Sequence, residues 1–331
     1  MTKLFRKNKR ECMSTNVEIV TLGYIFNEHI QAKDGTISGP FLGGTESFGS
    51  IGLAKAGYKI GAVTNIGPNT DRTLLALFEQ AGVDMTGFNT YPGASETKDL
   101  LCYFPDGTKE IKYLTRAPRI KPHDIPESYL ASMKVCLLCL VDYEVDTTTV
   151  RYILDRCENV LIAADLGGVG GAHSTDEWRD AYIVNDGGAK QKELMALIDI
   201  AKMSFEDYTC ITGNSNASYK KAAQDILKMG PQIVVITLGG EGSYILTQDE
   251  IEYKIPAVTA FNGVIDTTGA GDTYTCIFTA EYQQTKDIEK AAYFAGAATS
   301  ILIEKSGGAS PERCPSREMI EERLARFLLN H

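Results

Sequence analysis

The stretch from Asp266 to Asp272 joins a glycine-rich turn to a carboxylate at the start of a predicted helix. Gly269 and Gly271 let successive backbone N–H groups converge there, where orphan amide donors and the helix macrodipole attract anions such as phosphate. Asp272 would repel such an anion, so it needs a role of its own, and accepting the proton of a hydroxyl that attacks phosphorus is one. The stretch therefore predicts a phosphoryl-transfer site or, as the structural alternative, a capped helix behind a glycine turn.

Two more glycine motifs precede this stretch in the chain. Gly43 and Gly44 stand before a helical segment from Ser47 to Gly57, and a turn runs from Thr237 to Gly242. In this order the three motifs resemble the signature of the ribokinase-like, or PfkB, family of carbohydrate kinases, and the likeness extends over roughly residues 17 to 325. The resemblance implies an enzyme that uses ATP to phosphorylate a hydroxyl group of a sugar, a polyol or a nucleoside.

The resemblance also implies a role for each motif residue. Asp272 is expected to act as the base that takes the proton of the substrate hydroxyl. The anion hole for the transferred phosphoryl group is expected to comprise Gly269, Ala270 and Gly271. The expected substrate contacts are Gly43 and Gly44, and the expected ATP contacts include Thr237, Gly239 and Gly242. Asp266 and Thr268 match positions around a monovalent-cation site that keeps the anion hole in shape. The implied cofactors are ATP and Mg²⁺, and K⁺ is considered for the monovalent site.

Two residues depart from the family pattern on the substrate side. Asn27 follows the first strand where an Asp is common, and Phe48 stands four residues after Gly44 where an Asn is usual. An amide and an aromatic ring hold a charged or densely polar sugar poorly. We therefore expect a substrate ring with an apolar face, such as an inositol-like polyol or a nucleoside, that stacks on Phe48. The alternative for Phe48 is plain core packing on its helix.

A third departure lies where the family has an N-x-x-E motif on the ATP side. Ser204 replaces the Asn and Asp207 replaces the Glu. Asp207 keeps a charge that can organise the water ligands of Mg²⁺, so metal support is expected to be weakened rather than lost, and Ser204 is still expected to contact ATP. The departures leave open a binding or regulatory protein of this family with impaired catalysis, although the intact run to Asp272 argues against it.

Strands and helices alternate along most of the chain, which is typical of an α/β fold with a doubly wound, mostly parallel sheet. The predicted strands are 17–24, 59–65, 134–141, 160–165, 209–212, 233–238 and 244–246. The predicted helices are one that ends at 55, followed by 71–81, 147–157, 189–200, 217–228, 272–282 and 288–305. Ligands of such sheets bind beyond the carboxyl ends of the strands, so the motif loops are expected to converge there.

Two segments, 26–42 and 91–115, break this rhythm with strand-like alternation and turns. In the resembled family such strands form a lid over the sugar, and a lid excludes water that would otherwise accept the phosphoryl group. We expect the two segments to form one small sheet of this kind, and the alternative is an ordinary surface hairpin. A homodimer through the lid is the assembly that we consider.

Composition limits the classes of function. The 331 residues carry a net charge of −10, with no dense basic face in the body of the chain, so a small-molecule substrate is expected rather than nucleic acid. No apolar run approaches the roughly 18 residues that span a bilayer, so we expect no membrane association and a soluble, cytoplasmic protein. Residues 1–12 are basic, without an apolar stretch after them, and are expected to form a disordered extension to the kinase domain of residues 13–331.

Cysteines and a second glycine cluster carry no site of their own. The eight cysteines include one C-x-x-C pair, Cys136 and Cys139, inside an apolar run. Residues three apart in a strand face opposite ways, so these thiols are expected to be structural rather than metal-binding. The glycines between Asp165 and Gly171 lack the dinucleotide-binding spacing and predict a flexible loop on the phosphate side, with His173 as a solvated loop residue.

Overall fold

A nine-stranded mixed sheet forms the centre of the fold, in a computed structural model that describes residues 16–104, 109–141, 144–171 and 188–329. The strands of the protein, in chain order, are β1 (Ile19–Gly23), β2 (Phe26–Gln31), β3 (Ile37–Gly43), β4 (Ile60–Ile66), β5 (Asp84–Thr90), β6 (Thr97–Tyr103), β7 (Lys109–Thr115), β8 (Val135–Cys139), β9 (Leu161–Asp165), β10 (Ile200–Ser204), β11 (Ile233–Thr237), β12 (Ser243–Thr247) and β13 (Glu252–Ile255). The central sheet has the order β13-β12-β11-β10-β9-β8-β1-β4-β5, and its neighbouring strands pair in parallel except for β11 with β12 and β12 with β13, which are antiparallel. The predicted doubly wound, mostly parallel sheet is confirmed.

Helices connect the strands and cover both faces of this sheet. They are α1 (Thr45–Lys55), α2 (Arg72–Ala81), α3 (Glu127–Leu130), α4 (Thr147–Arg156), α5 (Ala189–Met195), α6 (Phe205–Thr212), α7 (Tyr219–Leu227), α8 (Ala270–Thr285), α9 (Ile288–Leu302) and α10 (Arg317–Leu328). Local sequence sets several of their ends. Asp71 caps α2 by accepting the Thr73 amide at 2.8 Å, and Gly82 ends the helix in the left-handed region at φ 85°.

The strands send alternate side chains into two apolar cores, one on each face of the sheet. Cys136 packs in one core and Cys139 in the other, and both thiols are buried and free. The prediction that these two cysteines face opposite ways is confirmed. A shared metal ion would need both sulfur atoms on one face, which this strand does not allow.

The predicted strand at 209–212 is wrong, because these residues end helix α6. Ser204 and Asp207 form a capping box that starts this helix, with the Ser204 Oγ accepting the Asp207 amide at 3.1 Å. Thr209 and Thr212 satisfy their hydroxyls by donating to carbonyls four residues earlier, at 3.0 and 2.8 Å. The strand lies earlier, at Ile200–Ser204, and begins at the last residue of the predicted helix 189–200.

The predicted flexible loop after β9 is also wrong where the structure describes it. Residues 165–171 form a buried turn in which Asp165 accepts the Gly167 amide at 3.0 Å. A Cβ on Gly168 would stand 2.1 Å from the Leu140 carbonyl oxygen, so the turn packs directly on the backbone after β8. His173 and residues 1–12 lie outside the described residues.

A second sheet has four strands in the order β3-β2-β6-β7 and comes from the two segments that break the α/β rhythm. Strands β2 and β6 pair in parallel at its centre, with Glu28 opposite Asp99. The predicted small sheet is therefore confirmed, and its function as a lid stays a prediction. No helix within the described ranges combines the length and apolar character of a bilayer span.

Candidate active site

A cavity of about 880 Å³ lies where the carboxyl ends of β9, β10 and β11 meet the start of helix α8. Motif residues from distant parts of the chain share its lining: Gly44, Phe48, Ser204, Asp207, Thr237, Gly239, Gly242, Thr268, Gly269, Ala270, Gly271 and Asp272. Small-molecule sites occupy this position in doubly wound sheets. The predicted convergence of the motif loops is therefore present in the fold.

Asp272 lies in the first turn of α8 and is held in place by a residue of α1. The Thr45 Oγ1 donates to Asp272 Oδ1 at 3.0 Å. Thr45 directly follows Gly44, which packs against the Phe26 ring of the small sheet. The sequence motif drew attention to the glycine pair but not to Thr45, whose partner lies 227 residues further along the chain. This bond holds one oxygen of the Asp272 carboxylate in place.

The turn before Asp272 has the geometry that the glycines predict. Gly269 is left-handed at φ 78°, and a Cβ on it would lie 2.3 Å from the Phe48 ring. The Ala270 amide donates to the Thr267 carbonyl at 3.1 Å, so it is already engaged. The first amides of any helix lack an intrahelical acceptor, so a helix start of this kind can bind an anion.

Lys202 brings a buried ammonium group to this turn, which the sequence analysis missed. A Cβ on Gly271 would stand 2.7 Å from the Lys202 Nζ, so the glycine makes room for the cation. The Nζ donates to Asp165 Oδ2 at 2.7 Å. Burial lowers the pKa of Lys202, but the charges of Asp165, Asp207 and Asp272 outweigh this effect and raise the pKa above its usual value. The ammonium therefore stays charged beside the anion-hole turn.

The small sheet contributes a second acidic side chain to the cavity. Glu28 lines it, and Gly43 gives it space, since a Cβ there would stand 3.0 Å from the Glu28 carboxyl group. Burial raises the pKa of Glu28 to about 7, and the charges of Asp272 and Asp266 act in the same direction. Burial and then Glu28 raise the pKa of the neighbouring Asp99 to about 8.

Two predicted substrate contacts lie elsewhere or are largely enclosed. Asn27 points to the other face of β2, where its amide donates to Glu96 at 3.3 Å, and the structure does not bring it into the cavity. Phe48 touches the cavity but is only 2% exposed, between the Gly269 turn and the Arg313 guanidinium 5.4 Å from its ring centre. Most of its ring is already covered, which favours the core-packing alternative over substrate stacking.

The other end of the cavity has the character of a nucleotide pocket. Its wall consists of apolar residues without large side chains: Val258, Val264, Gly296 and Ile303. The same cavity lining includes Thr237, Gly239 and Gly242. Thr299 Oγ1 is buried in this wall without a hydrogen-bond partner among the described residues. A flat heterocycle with polar edges suits such a pocket, because buried hydroxyl groups normally find a partner.

The residues predicted to support Mg²⁺ have a structural task as well. Asp207 Oδ2 accepts from the Ser204 amide and from the Ser204 hydroxyl, both at 2.7 Å, and Asp207 is 3% exposed. Glu206 next to it is exposed and lines the cavity. In the described part of the chain, no three acidic, His or Cys side chains group closely enough to cage a metal ion. This donor set fits an ion held by phosphate oxygens and water, with carboxylates at a distance.

The residues predicted to hold a monovalent cation already surround a positive group. The Arg313 Nη2 donates to the carbonyl oxygens of Asp266 at 3.1 Å and Thr268 at 2.9 Å. Its Nε donates to Lys305 O at 3.0 Å, and its Nη1 donates to Gly307 O. A K⁺ ion does not fit these residues as they stand, because the guanidinium occupies the centre of the carbonyl oxygens.

Comparisons with known proteins agree on one family and one fold. The family model described as pfkB family carbohydrate kinase matches residues 41–314. A 5-dehydro-2-deoxygluconokinase from Shouchella clausii is 25% identical over 85% of this chain and 87% of its own. A ribokinase from Arabidopsis thaliana is 31% identical over 35% of this chain, and that segment spans only 31% of the relative's length.

Solved structures share the fold over almost the whole chain. Arabidopsis thaliana ribokinase complexed with ribose and ATP has a TM-score of 0.72 at 22% identity, covering 93% of this chain and 98% of its own. A pyrophosphate-dependent kinase of the ribokinase family, complexed with a pyrophosphate analogue and myo-inositol, has a TM-score of 0.69 at 18% identity, covering 92% and 99%. At these identities the likeness establishes the architecture, and the chemistry has to be argued from the residues.

Proposed function

Because this chain belongs to the PfkB family of carbohydrate kinases, we propose that it transfers the terminal phosphoryl group of ATP to a hydroxyl group of a small, uncharged sugar or polyol. One observation carries the proposal. A carboxylate oriented by Thr45, a glycine turn at a helix start and a buried ammonium group meet in a single cavity, as Asp272, Gly269 to Gly271 and Lys202. A base next to an anion site is what attack of a hydroxyl on phosphorus requires.

In the proposed reaction, Asp272 accepts the proton of the substrate hydroxyl while the hydroxyl oxygen forms a bond to the terminal phosphorus. The bond from that phosphorus to the bridging oxygen breaks, and ADP leaves with the electron pair. The positive end of helix α8 and the Lys202 ammonium stabilise the negative charge on the moving group. Mg²⁺, when bound to the phosphates, supplies further charge neutralisation, and Glu206 and Asp207 would hold its water ligands.

Acidic side chains narrow the substrate class that we propose. Glu28 and Asp272 both line the acceptor end, and Asp99 lies behind Glu28. Carboxyl groups bind hydroxyl donors and repel phosphate or carboxylate groups on a substrate. Leu101 and Ile111 add an apolar surface to the same end. A neutral, inositol-like cyclic polyol can donate hydroxyl groups to the carboxyl groups and place its ring against the apolar surface. Glu28 takes the substrate-binding role that the sequence analysis gave to Asn27.

The test is ADP release measured with MgATP and a panel of myo-inositol, ribose and adenosine. We expect turnover with a neutral polyol or sugar and loss of turnover in Asp272→Asn, because the nearly isosteric amide cannot take the proton. The base typically contributes about 10²–10⁴-fold, so the variant should lose at least that much. The exposed Asp249→Asn serves as the control.

Three outcomes would contradict parts of the proposal. Turnover with adenosine alone would replace the polyol with a nucleoside. Asp272→Asn turnover within a few-fold of the parent would remove Asp272 as the base. ATP binding without turnover of any acceptor would favour the alternative of a binding or regulatory protein.

A further inference from the structure

A cluster of carbonyl oxygens lies directly behind the anion-hole turn. Its members are the carbonyl groups of Asp266, Thr268, Lys305 and Gly307, which we call the carbonyl cluster. Two of them immediately precede Gly269, so their positions fix how the turn enters helix α8. Carbonyl dipoles that point toward one another repel, and such a cluster needs a cation at its centre.

The Arg313 guanidinium fills that centre and meets all four carbonyl groups through its Nε, Nη1 and Nη2 atoms. Arg313 is only 2% exposed, and its Nη2 lies 3.5 Å from the Asp266 carboxylate. That carboxylate also accepts the amides of Thr268 at 2.9 Å and Gly307 at 3.1 Å. One planar group therefore ties the anion-hole turn to the segment after α9.

The backbone before Arg313 presents the side chain from a fixed position. The Arg313 amide donates to Ser310 Oγ at 3.2 Å, and the Cys314 amide donates to Ser310 O at 3.0 Å. The guanidinium then reaches the carbonyl cluster past the buried Phe48 ring. An arginine stays protonated throughout the pH range in which proteins fold, so this positive charge is permanent.

We propose that Arg313 takes the place of a monovalent cation in shaping the anion hole, so that phosphoryl transfer by this protein needs no K⁺. The inference builds on the proposed kinase function. Arg313 acts through the Gly269 turn and does not contact the reacting atoms, so it is a positioning residue. A free cation cannot share the site, because the guanidinium already occupies the carbonyl oxygens and carries the same charge.

The first test needs no variant. Kinase activity of the full chain is compared in potassium chloride and in tetramethylammonium chloride at equal ionic strength, with the magnesium salt of ATP in both. We expect the two rates to agree within about 2-fold. A K⁺ ion that lowered the activation barrier by about 1.36 kcal/mol would instead raise the rate about 10-fold. Activation by K⁺ of 10-fold or more would overturn the proposal.

The second test removes the tethered charge. Arg313→Ala leaves the carbonyl cluster and the Asp266 carboxylate without their cation, so we expect activity to fall by at least about 10-fold in tetramethylammonium and to recover in part when K⁺ or guanidinium is added. A merely structural role would lower activity without such rescue. Loss of activity with no rescue, or no loss at all, would overturn the proposal.

Arg317→Ala is the matched control, since Arg317 also binds a carbonyl group, of Ala56, and a carboxylate, of Glu281, but does not line the cavity. Its activity should not respond to K⁺.

The melting temperature gives a readout that does not depend on turnover. K⁺ should raise the melting temperature of Arg313→Ala and leave those of the parent and of Arg317→Ala unchanged. This measurement decides the inference even if no acceptor substrate is turned over. If Arg313→Ala is too unstable to purify, Arg313→Lys replaces it. Its ammonium group keeps the charge but cannot reach all four carbonyl groups, so we expect a partial loss of activity that K⁺ reduces. A loss that K⁺ does not reduce would count against the proposal.

Discussion

The electrostatic environment of Lys202 keeps its ammonium group charged, which suits this group to hold an anion. Its ammonium group lies 2.7 Å from Asp165, and both side chains are more than nine-tenths buried. Asp207 and Asp272 add negative charge nearby. A phosphoryl group at the Gly271 turn would accept from the same ammonium in a charge-assisted bond, which is the stronger class of hydrogen bond.

We expect Lys202→Met to raise the KM for ATP or lower kcat by about 10–150-fold, since a hydrogen bond to a charged group contributes about 1.5–3 kcal/mol. The same change should destabilise the fold by about 3–5 kcal/mol, because it leaves Asp165 as an uncompensated buried charge. Steady-state kinetics and urea unfolding measure the two effects.

The double variant with Asp165→Asn separates catalysis from stability. Removing both charges should recover much of the unfolding free energy while activity stays low. Recovery of activity together with stability would show that Lys202 serves the fold alone. The exposed Lys134→Met, which breaks only a surface pair with Glu18, is the control for both measurements.

The active-site residues that lie next to one another in the chain could be predicted from the sequence. Those that reach the site from distant segments could not. Gly269 to Asp272 form one helix start, so local physics determines their arrangement. Lys202, Glu28 and Arg313 reach the site from β10, β2 and the segment after α9, and no local pattern records that meeting. A lone lysine inside an apolar strand was the available signal for Lys202, since burying an ammonium group demands a partner.

At the scale of elements, helix α8 shows how a glycine can serve a neighbour rather than its own backbone. Gly271 has an ordinary helical position, yet its missing side chain makes the space for the Lys202 ammonium. Gly52 in α1 is the opposite case, because a Cβ there would meet no atom within 4 Å. Both are helical glycines, so their replacement by alanine can be compared directly.

We expect Gly52→Ala to raise stability by up to about 1 kcal/mol through helix propensity and to leave activity unchanged. Gly271→Ala should gain little or no stability and lose at least about 10-fold in activity, because the new methyl group displaces the Lys202 Nζ from the turn. Thermal unfolding and steady-state kinetics of both variants check this. Equal activity in the two would contradict the arrangement described for Lys202.

The ends of helices could be predicted where a cap residue sets them. The prediction was wrong where β-branched residues suggested a strand inside a helix. Asp71 and Gly82 delimit α2 as their chemistry predicts. Thr209 and Ile211 favour a strand by composition, but the capping box at Ser204 starts a helix that includes them. Strand β10 was missed because the charged Lys202 interrupts its apolar run.

Across the whole molecule, buried carboxyl groups link stability to pH. Burial raises the pKa of Glu46, in α1, to about 8, and Thr21 Oγ1 donates to it at 2.5 Å. Glu28 and Asp99 have pKa values raised to about 7 and about 8. In each case the folded protein holds a proton that the unfolded chain releases near its ordinary carboxyl pKa. Stability is therefore fully present at acidic pH and falls as pH rises through the window up to about 8.

We expect the melting temperature to fall between pH 5 and about 8 and Glu46→Gln to flatten that decline, because the amide mimics the protonated acid. The lost stability should be on the order of 1–4 kcal/mol for Glu46, since one pKa unit corresponds to about 1.36 kcal/mol. Thermal unfolding across this pH range measures it. The exposed Glu79→Gln should keep the parental slope, and a parental slope in Glu46→Gln would contradict the prediction.

The doubly wound, mostly parallel architecture followed from the alternation of strands and helices, since that pattern admits few right-handed parallel arrangements. The number of strands did not follow, because β5 and β13 were not predicted. The small sheet followed less directly, because its two halves are separated by α1, β4, α2 and β5. Parallel pairing of β2 with β6 joins them, a long-range contact that neither segment reveals alone.

The contact between the Arg313 guanidinium and the anion-hole turn can form only late in the synthesis of the chain. Arg313 follows Asp266 by 47 residues, so a ribosome that adds about 5–20 residues per second makes the turn some 2–9 s before the side chain that holds it. A nascent chain in that interval contains Asp272, Thr45 and Lys202 but lacks Arg313. The anion hole is thus completed late, and a growing polypeptide gains its geometry only once the described strands and all of the described helices except α10 have been translated.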